Sequence, residues 1–178
     1  MLRQLRETGP VVLVPLAWTF AGAAHLRLLE PRTVLVAHLV MDVLLFAFAV
    51  LSWGDMRDHP VLRAWLVVIV VGLGITLVGT YALATDGNET LLRATVFGWM
   101  VVPAVALVYT GRAIPVDEAP RVYTLGGVLS VLGALAFLDA TLAGPLSSLL
   151  VGSDPTLVAL ALVGAGQTAG IVNAVVQY

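Results

Sequence analysis

The chain has 178 residues, of which 60% are hydrophobic and 11% are charged, and its net charge is −2. A soluble domain carries about a quarter of its residues as charged side chains, so this composition excludes an ordinary water-soluble fold. The chain has no Cys, which excludes disulfides and thiolate metal sites. Its nine basic residues are all Arg, so there is no Lys to form a Schiff base. The charge balance offers no basic surface for a nucleic acid. An integral membrane protein is the class that remains.

Six apolar stretches follow one another along the chain, and each is long enough to cross a bilayer, which takes about 20 residues. Short polar segments such as Glu30-Pro31-Arg32 separate them. We place the spans at about 10–29, 33–53, 61–84, 91–110, 122–143 and 156–177. A helix satisfies every backbone polar group within itself, as lipid requires. The sequence therefore predicts one all-α transmembrane domain over residues 1–178, a polytopic bundle of six helices in a lipid bilayer.

The arginines are distributed unequally between the two sides of these spans. On the side where the first span ends and the second begins there are three, Arg27, Arg32 and Arg93. Six flank the other side: Arg3, Arg6, Arg57, Arg63, Arg112 and Arg121. Because basic residues are enriched in cytoplasmic loops, the six-arginine side is expected in the cytoplasm. We predict a multi-pass protein of the cell membrane with both termini cytoplasmic.

Two short segments in the halves of the chain resemble each other. Val-Gly-Leu-Gly-Ile-Thr at 71–76, in the third span, matches Val-Gly-Ala-Gly-Gln-Thr at 163–168, in the sixth. Three spans per half would give the halves opposite directions in the membrane, a plan found in transporters. Short matches also arise by chance in a chain rich in Val, Gly and Ala. We interpret the pattern as a weak 3+3 inverted repeat.

Apart from Arg27, which flanks the end of the first span, the ionisable residues inside the first two spans are His25, His38 and Asp42. A charge at the centre of a span costs about 2.5 kcal/mol or more, so each is a functional candidate. His38 and Asp42 share one helix face, about 40° apart, and Trp18 lies on the same stripe of the first span as His25. A tight hairpin would turn the two stripes toward each other. We therefore predict a polar site in the outer half of the bundle, formed by His25, His38 and Asp42 and lined by Trp18.

Three functions are compatible with such a site. The leading hypothesis is a small membrane protein that binds or translocates a proton, a small solute or a lipid-like ligand. In the second, a structural or accessory membrane subunit uses the same residues as hydrogen-bonding contacts between helices. In the third, a metal- or haem-dependent redox enzyme uses His25, His38 and Asp42 as ligands. The sequence requires no cofactor, and no catalytic motif supports a named enzyme class.

Asp139, near the end of the fifth span, is a reserve candidate. Its helical phase places it roughly opposite Ser130, on a side that otherwise carries Leu, Val and Ala. Gly126, Ser130 and Gly133 form the small face of this span, which is the one suited to close packing. Asp139 is therefore expected near the membrane interface rather than in the site.

Asn173 and Gln177 are two further reserve candidates, on one face of the sixth span with Gly166 and Gly170. Glycines four residues apart let helix backbones approach closely, and the amides then bond across the contact. The face is expected to form a seam inside the bundle, or a contact with a second copy or a partner membrane subunit.

Pro103 lies in the middle of the fourth span. Proline has no backbone N–H, so it leaves a carbonyl near Trp99 without its usual helical donor. Such breaks are tolerated in membrane helices when a neighbour supplies the missing bond. A structural role is the favoured interpretation.

Overall fold

The computed structural model describes residues 2–85, 87–145 and 152–177, with all side chains in these ranges except those of 2–8, 10 and 177. In the described residues the chain forms six long helices and no strand, which confirms the predicted all-α bundle. The helices are α1 (Leu2–His25), α2 (Pro31–Met56), α3 (Pro60–Ala84), α4 (Glu89–Ala113), α5 (Pro120–Thr141) and α6 (Pro155–Gln177). A 3-10 turn, Val116–Glu118, connects α4 to α5.

Five of these helices, α2 to α6, are long and apolar enough to cross a membrane. In α1 the apolar part is shorter and runs from Val11 to His25. The six predicted spans therefore correspond to the six helices, with the first the least complete. The architecture is that of a multi-pass membrane protein in a lipid bilayer.

Proline marks the start of four helices, at Pro31, Pro60, Pro120 and Pro155. Its fixed φ suits the first helical turn, and its missing N–H is not needed there. The loop between α1 and α2 spans only residues 26–30, so consecutive helices run in opposite directions. We call the end of the bundle that holds this loop the His25 end. The helices α4 and α6 also begin at the His25 end. We call the other end of the bundle the opposite end.

The helices from α2 to α6 each pack against their neighbour in the chain, and α1 packs mainly against α6. The spatial order is therefore α2–α3–α4–α5–α6–α1. This differs from the expected hairpin in which the stripes of α1 and α2 face each other. The contact of α1 with α6 joins the two ends of the chain, and α2 has α3 as its main partner.

The tightest packing lies between α5 and α6. A Cβ atom added at Gly126 would lie 2.5 Å from the carbonyl oxygen of Gly166, and a Cβ at Gly166 would meet the carbonyl of Gly126. Gly126, Ser130 and Gly133 are all buried, as predicted for the small face of the fifth span. Backbones at this separation exclude any side chain, so glycine is required at both positions.

The Gly166 and Gly170 face forms a seam within the chain. Gly166 is buried against α5, and a Cβ at Gly170 would meet the side chain of Leu107 on α4. Both glycines are therefore enclosed by helices of the same protein. Of the two expectations for this face, the structure shows the internal seam, and the glycines are not a surface open to a second chain.

In each of the two matching segments, the first glycine is packed against a tryptophan from another helix. The Trp99 ring of α4 lies where a Cβ at Gly72 would be, and the Trp18 Cβ of α1 lies 3.1 Å from that position at Gly164. Gly72 and Gly164 are equivalent in the proposed repeat, as are α4 and α1. The correspondence does not extend to every pair, because α4 packs closely on α5 whereas α1 packs mainly on α6 rather than α2.

Candidate functional site

Asp42 lies on the buried face of α2, with only 8% of its surface exposed. Leu45, Ala49 and Ser52 continue this face along the helix and are also buried. From α3, the hydroxyl of Thr80 donates a hydrogen bond of 2.6 Å to Asp42 Oδ2. The other oxygen, Oδ1, is buried and has no hydrogen-bond partner among the described residues. Leaving a buried polar atom unsatisfied costs about 1–3 kcal/mol, and more for a charged group.

His38 lies one turn from Asp42, toward the His25 end. Its Nδ1 is 3.0 Å from the carbonyl oxygen of Val34. A carbonyl only accepts, so Nδ1 carries a hydrogen, and in the neutral ring Nε2 then has a free lone pair. Within the described part of the chain, Nε2 makes no hydrogen bond of its own. His38 therefore presents an available proton acceptor.

Gly79 on α3 makes room for the His38 ring. A Cβ atom at Gly79 would lie 3.1 Å from His38 Cδ2 and 3.2 Å from Nε2, and 2.9 Å from the methyl carbon of Thr95 on α4. Any larger residue would force the imidazole or Thr95 to move. Gly79 and Thr80 are adjacent in α3, so they hold His38 and Asp42 on the same seam. We call His38, Asp42, Gly79 and Thr80 the Asp42 site.

The Asp42 site lies near the middle of α2. At 1.5 Å per residue, Asp42 is about 17 Å along α2 from Pro31 and about 21 Å from Met56. His38 is about 6 Å nearer the His25 end. The site thus combines two open acceptors, a carboxylate oxygen and an imidazole nitrogen, one helical turn apart between apolar helices. This arrangement is suited to binding a proton or a small cation and passing it along the seam.

His25 does not join the Asp42 site, and its partner is Asp154, directly before α6. Its Nε2 lies 2.9 Å from Asp154 Oδ2, and both side chains are more than one third exposed. The other oxygen of Asp154 accepts from the backbone N–H groups of Thr156 and Leu157 at 2.8 and 3.2 Å, which caps α6. The hydrogen bond from His25 is the main cause that holds the pKa of Asp154 below its ordinary value. His25 therefore joins the end of α1 to the start of α6.

Trp18 likewise contacts α6. Its indole N–H donates to Gln167 Oε1 at 3.0 Å, and Gln167 Nε2 donates to the backbone carbonyl of Trp99 at 3.0 Å. That carbonyl is four residues before Pro103, so it is the one the proline leaves without a helical donor. Gln167 thus supplies the bond that Pro103 removes. Gln167 was missing from the sequence-based site, and the available signal was the freed carbonyl itself.

The hydrogen bonds continue from α4 into α3. Trp99 Nε1 donates to the Thr76 hydroxyl at 3.1 Å, and Thr76 donates to the carbonyl of Gly72 at 2.8 Å. With the bonds of Gln167, this connects α1, α6, α4 and α3 through the interior. Thr76 is one turn before Thr80, so the network ends next to the Asp42 site. It fixes the helix that presents Thr80 to Asp42.

The reserve candidates lie elsewhere. The Asp139 carboxyl lies against Gly144, just after the end of α5 at the His25 end. Asn173 donates to the carbonyl of Glu118 at 3.4 Å and bonds the side chain of Tyr123, both at the opposite end. The side chain of Gln177 lies outside the described residues. The two described candidates therefore fasten the ends of helices.

The described residues contain no group of three or more His, Asp or Glu side chains that could hold a metal ion. His25, His38 and Asp42 are among the described residues and do not form such a group. Comparisons with protein-family models, with curated proteins and with solved structures found no match for this chain. The candidate site is therefore assessed on its own geometry.

Proposed function

We propose that this membrane protein binds and translocates a proton, or a small solute that carries one, with Asp42 as the binding group. The observation that carries the proposal is the buried Oδ1 oxygen of Asp42, which has no hydrogen-bond partner among the described residues while Thr80 donates to Oδ2. A buried carboxylate in lipid needs compensation for its lost hydration. A proton on Oδ1 supplies that compensation, and its release restores the charged state.

His38 acts in this proposal as the relay between Asp42 and the His25 end. Its Nδ1 is held by the Val34 carbonyl, so the proton is taken up and released at Nε2. An imidazole nitrogen can both accept and donate a proton, which suits repeated transfer. Because the arginine distribution favours a cytoplasmic location for the opposite end, protons would in this proposal reach His38 from the external side of the membrane and then pass to Asp42.

Proton flux into liposomes tests this function. Purified protein is reconstituted with a trapped pH-sensitive dye, and a potassium gradient with valinomycin provides the driving force. We expect Asp42→Asn to reduce the flux to that of empty liposomes, because the amide cannot exchange a proton under these conditions. His38→Ala should cause a smaller loss, since water can partly replace a relay group but not the binding carboxyl.

Asp117→Asn is the matched control, because Asp117 is an exposed carboxylate in the 3-10 turn. It should leave the flux unchanged. Circular dichroism and size-exclusion profiles must first show that each variant is folded. A folded Asp42→Asn protein with wild-type flux would overturn the proposal.

A second candidate function is a structural or accessory membrane subunit. It is favoured by two observations, the His25–Asp154 pair and the Trp18–Gln167 hydrogen bond. Both are contacts that fasten one helix to another, as expected when polar residues hold a bundle together. This function requires a partner subunit that binds a surface other than the enclosed Gly166 and Gly170 face. Purification from native membranes only as a lone monomer would exclude it.

A further inference from the structure

An apolar groove of about 430 Å³ runs along the outside of the bundle between α3 and α4. Its walls are valines at four-residue spacing, Val67 and Val71 on α3 and Val101 and Val105 on α4. Its floor includes Ala106, which is 5% exposed. The groove exists because short side chains line the floor while the valines rise on both sides. We call it the valine groove.

The polar end of the valine groove lies at the opposite end of the bundle. There the groove continues into a second depression of about 250 Å³ that is lined by Arg63, Ala64 and Tyr109. Arg63 is four residues before Val67, and Tyr109 is four residues after Val105, so both extend the valine rows. A hydrophobic channel thus opens at a cationic and a phenolic side chain.

Arg112 reinforces this polar end. The Trp65 indole donates to the Thr110 hydroxyl at 3.1 Å, which sets the register of α3 against α4. Arg63 and Arg112 are each two residues beyond this bond, about 3 Å further toward the same end. Among the described residues neither forms an ion pair, whereas the arginines at 57 and 93 pair with Asp58 and Glu89. Two positive charges without an ion-pair partner among the described residues therefore lie at one level.

We propose that the valine groove binds one acyl chain of an anionic phospholipid, with the phosphate at Arg63 and Arg112. The eight residue-to-residue steps from Arg63 to Val71 cover about 12 Å of helix, comparable to the roughly 15 Å depth of one hydrocarbon leaflet. Charge lies at the interface end and valine extends toward the bilayer centre. This is the polarity of a phospholipid.

Native mass spectrometry of the full chain in detergent tests the proposal. The protein is mixed with equal amounts of dioleoyl phosphatidylglycerol and dioleoyl phosphatidylcholine, which share acyl chains and differ in net charge. We expect one tightly retained lipid, with the anionic lipid preferred by about fivefold for each arginine that contacts it. The double variant Arg63→Gln, Arg112→Gln should lose this preference while still retaining some lipid.

Three controls separate binding in the valine groove from a general charge effect and from binding of the headgroup alone. Arg121→Gln removes an exposed arginine at the same end but on α5, and it should keep the preference. Ala64→Leu and Val105→Phe fill the groove from its floor and its wall, so each should lower retention of both lipids. An excess of glycerol phosphate, the headgroup without chains, should not displace the bound lipid.

Several results would overturn the proposal. Equal retention of the two lipids by the wild-type protein would remove the charge recognition. A loss of preference in Arg121→Gln equal to that of the double variant would show only a general surface charge effect. Displacement by glycerol phosphate would show a phosphate site without an acyl groove, and unchanged retention in both filling variants would place the lipid elsewhere.

Discussion

Thr80 donates a 2.6 Å hydrogen bond to one oxygen of Asp42, while the second carboxylate oxygen is buried and unpartnered within the described part of the chain. The two residues come from neighbouring helices, α2 and α3, so the bond orients the carboxyl across a helix seam. A single donor for a buried carboxylate is an incomplete set, because its two oxygens offer about four acceptor positions. The unfilled positions distinguish Asp42 from His25, which is paired with Asp154 on the exposed end.

Thr80→Val is expected to destabilise the protein. The substitution keeps the shape of the side chain but removes the donor, so Asp42 Oδ2 loses its partner and neither oxygen then has a hydrogen bond within the described residues. We expect a loss of about 1–3 kcal/mol in the free energy of unfolding. Thr80→Ser, which keeps the hydroxyl, should lose clearly less. Urea titration in mixed micelles, followed by tryptophan fluorescence, measures the difference. Equal stability of the two variants would show that the bond contributes nothing.

Gly79→Ala is expected to displace His38 or Thr95. The added methyl group would enter the space of both side chains, and such overpacking costs about 1–3 kcal/mol. Gly74 is the matched control, because it lies in the same helix with nothing within 4 Å of its missing Cβ. Gly74→Ala should be neutral or stabilising by up to about 1 kcal/mol, from helix propensity alone.

The His38 contact can be separated from the Thr95 contact by a second substitution. Truncating the ring in Gly79→Ala, His38→Ala should restore part of the lost stability if the imidazole is the obstacle. The nuclear magnetic resonance signal of the His38 ring should also shift in Gly79→Ala and stay constant in Gly74→Ala. An unshifted signal in Gly79→Ala would contradict the described packing.

Gln167 and Pro103 are expected to be energetically coupled. Gln167→Leu leaves the Trp99 carbonyl without a donor, and we expect it to cost about 1–3 kcal/mol. In a Pro103→Ala background the alanine N–H can bond that carbonyl, so the same substitution should cost about 1 kcal/mol less. A double-mutant cycle of unfolding free energies gives this coupling. Strictly additive costs would argue against the role assigned to Gln167.

Asp154 is expected to make stability depend on acidic pH. Its pKa in the folded protein is lowered, chiefly by the His25 hydrogen bond, from an ordinary value of 3.8. The unfolded chain therefore binds the proton more readily, so the stabilisation is present above pH 3.8 and is lost as the pH falls through the lower folded pKa. The pair is partly exposed, so solvent screens it and the effect should be modest.

Asp154→Asn is the variant for this measurement, because the amide oxygen can still cap α6 while the charge is removed. The melting temperature of the wild type should exceed that of Asp154→Asn near neutral pH. The difference should shrink as the pH is lowered below 3.8. A constant difference over this range would show that the charge of Asp154 does not contribute.

The sequence by itself determined the membrane class, the helices and much of each helix face. These properties are local, because a helix satisfies its own backbone and its length follows from the bilayer thickness. Helical phase likewise placed Asp42 with Leu45 and Ala49, and it assigned Gly126 and Gly133 to the packing face of α5. The orientation of the termini and the function of the polar residues stay predictions.

Only the tertiary structure decided which helix faces pack against each other. Trp18 contacts Gln167 and His25 contacts Asp154, partners 149 and 129 residues away along the chain. Hydropathy could not select these neighbours, because lipid and the apolar face of another helix are nearly equivalent surroundings for Val, Leu and Ala. Shape and hydrogen bonding select them instead, through glycines that admit a ring or a backbone and through polar groups that need a partner. The same selection brought Asp42 to Thr80 and left its second oxygen without a hydrogen-bond partner among the described residues.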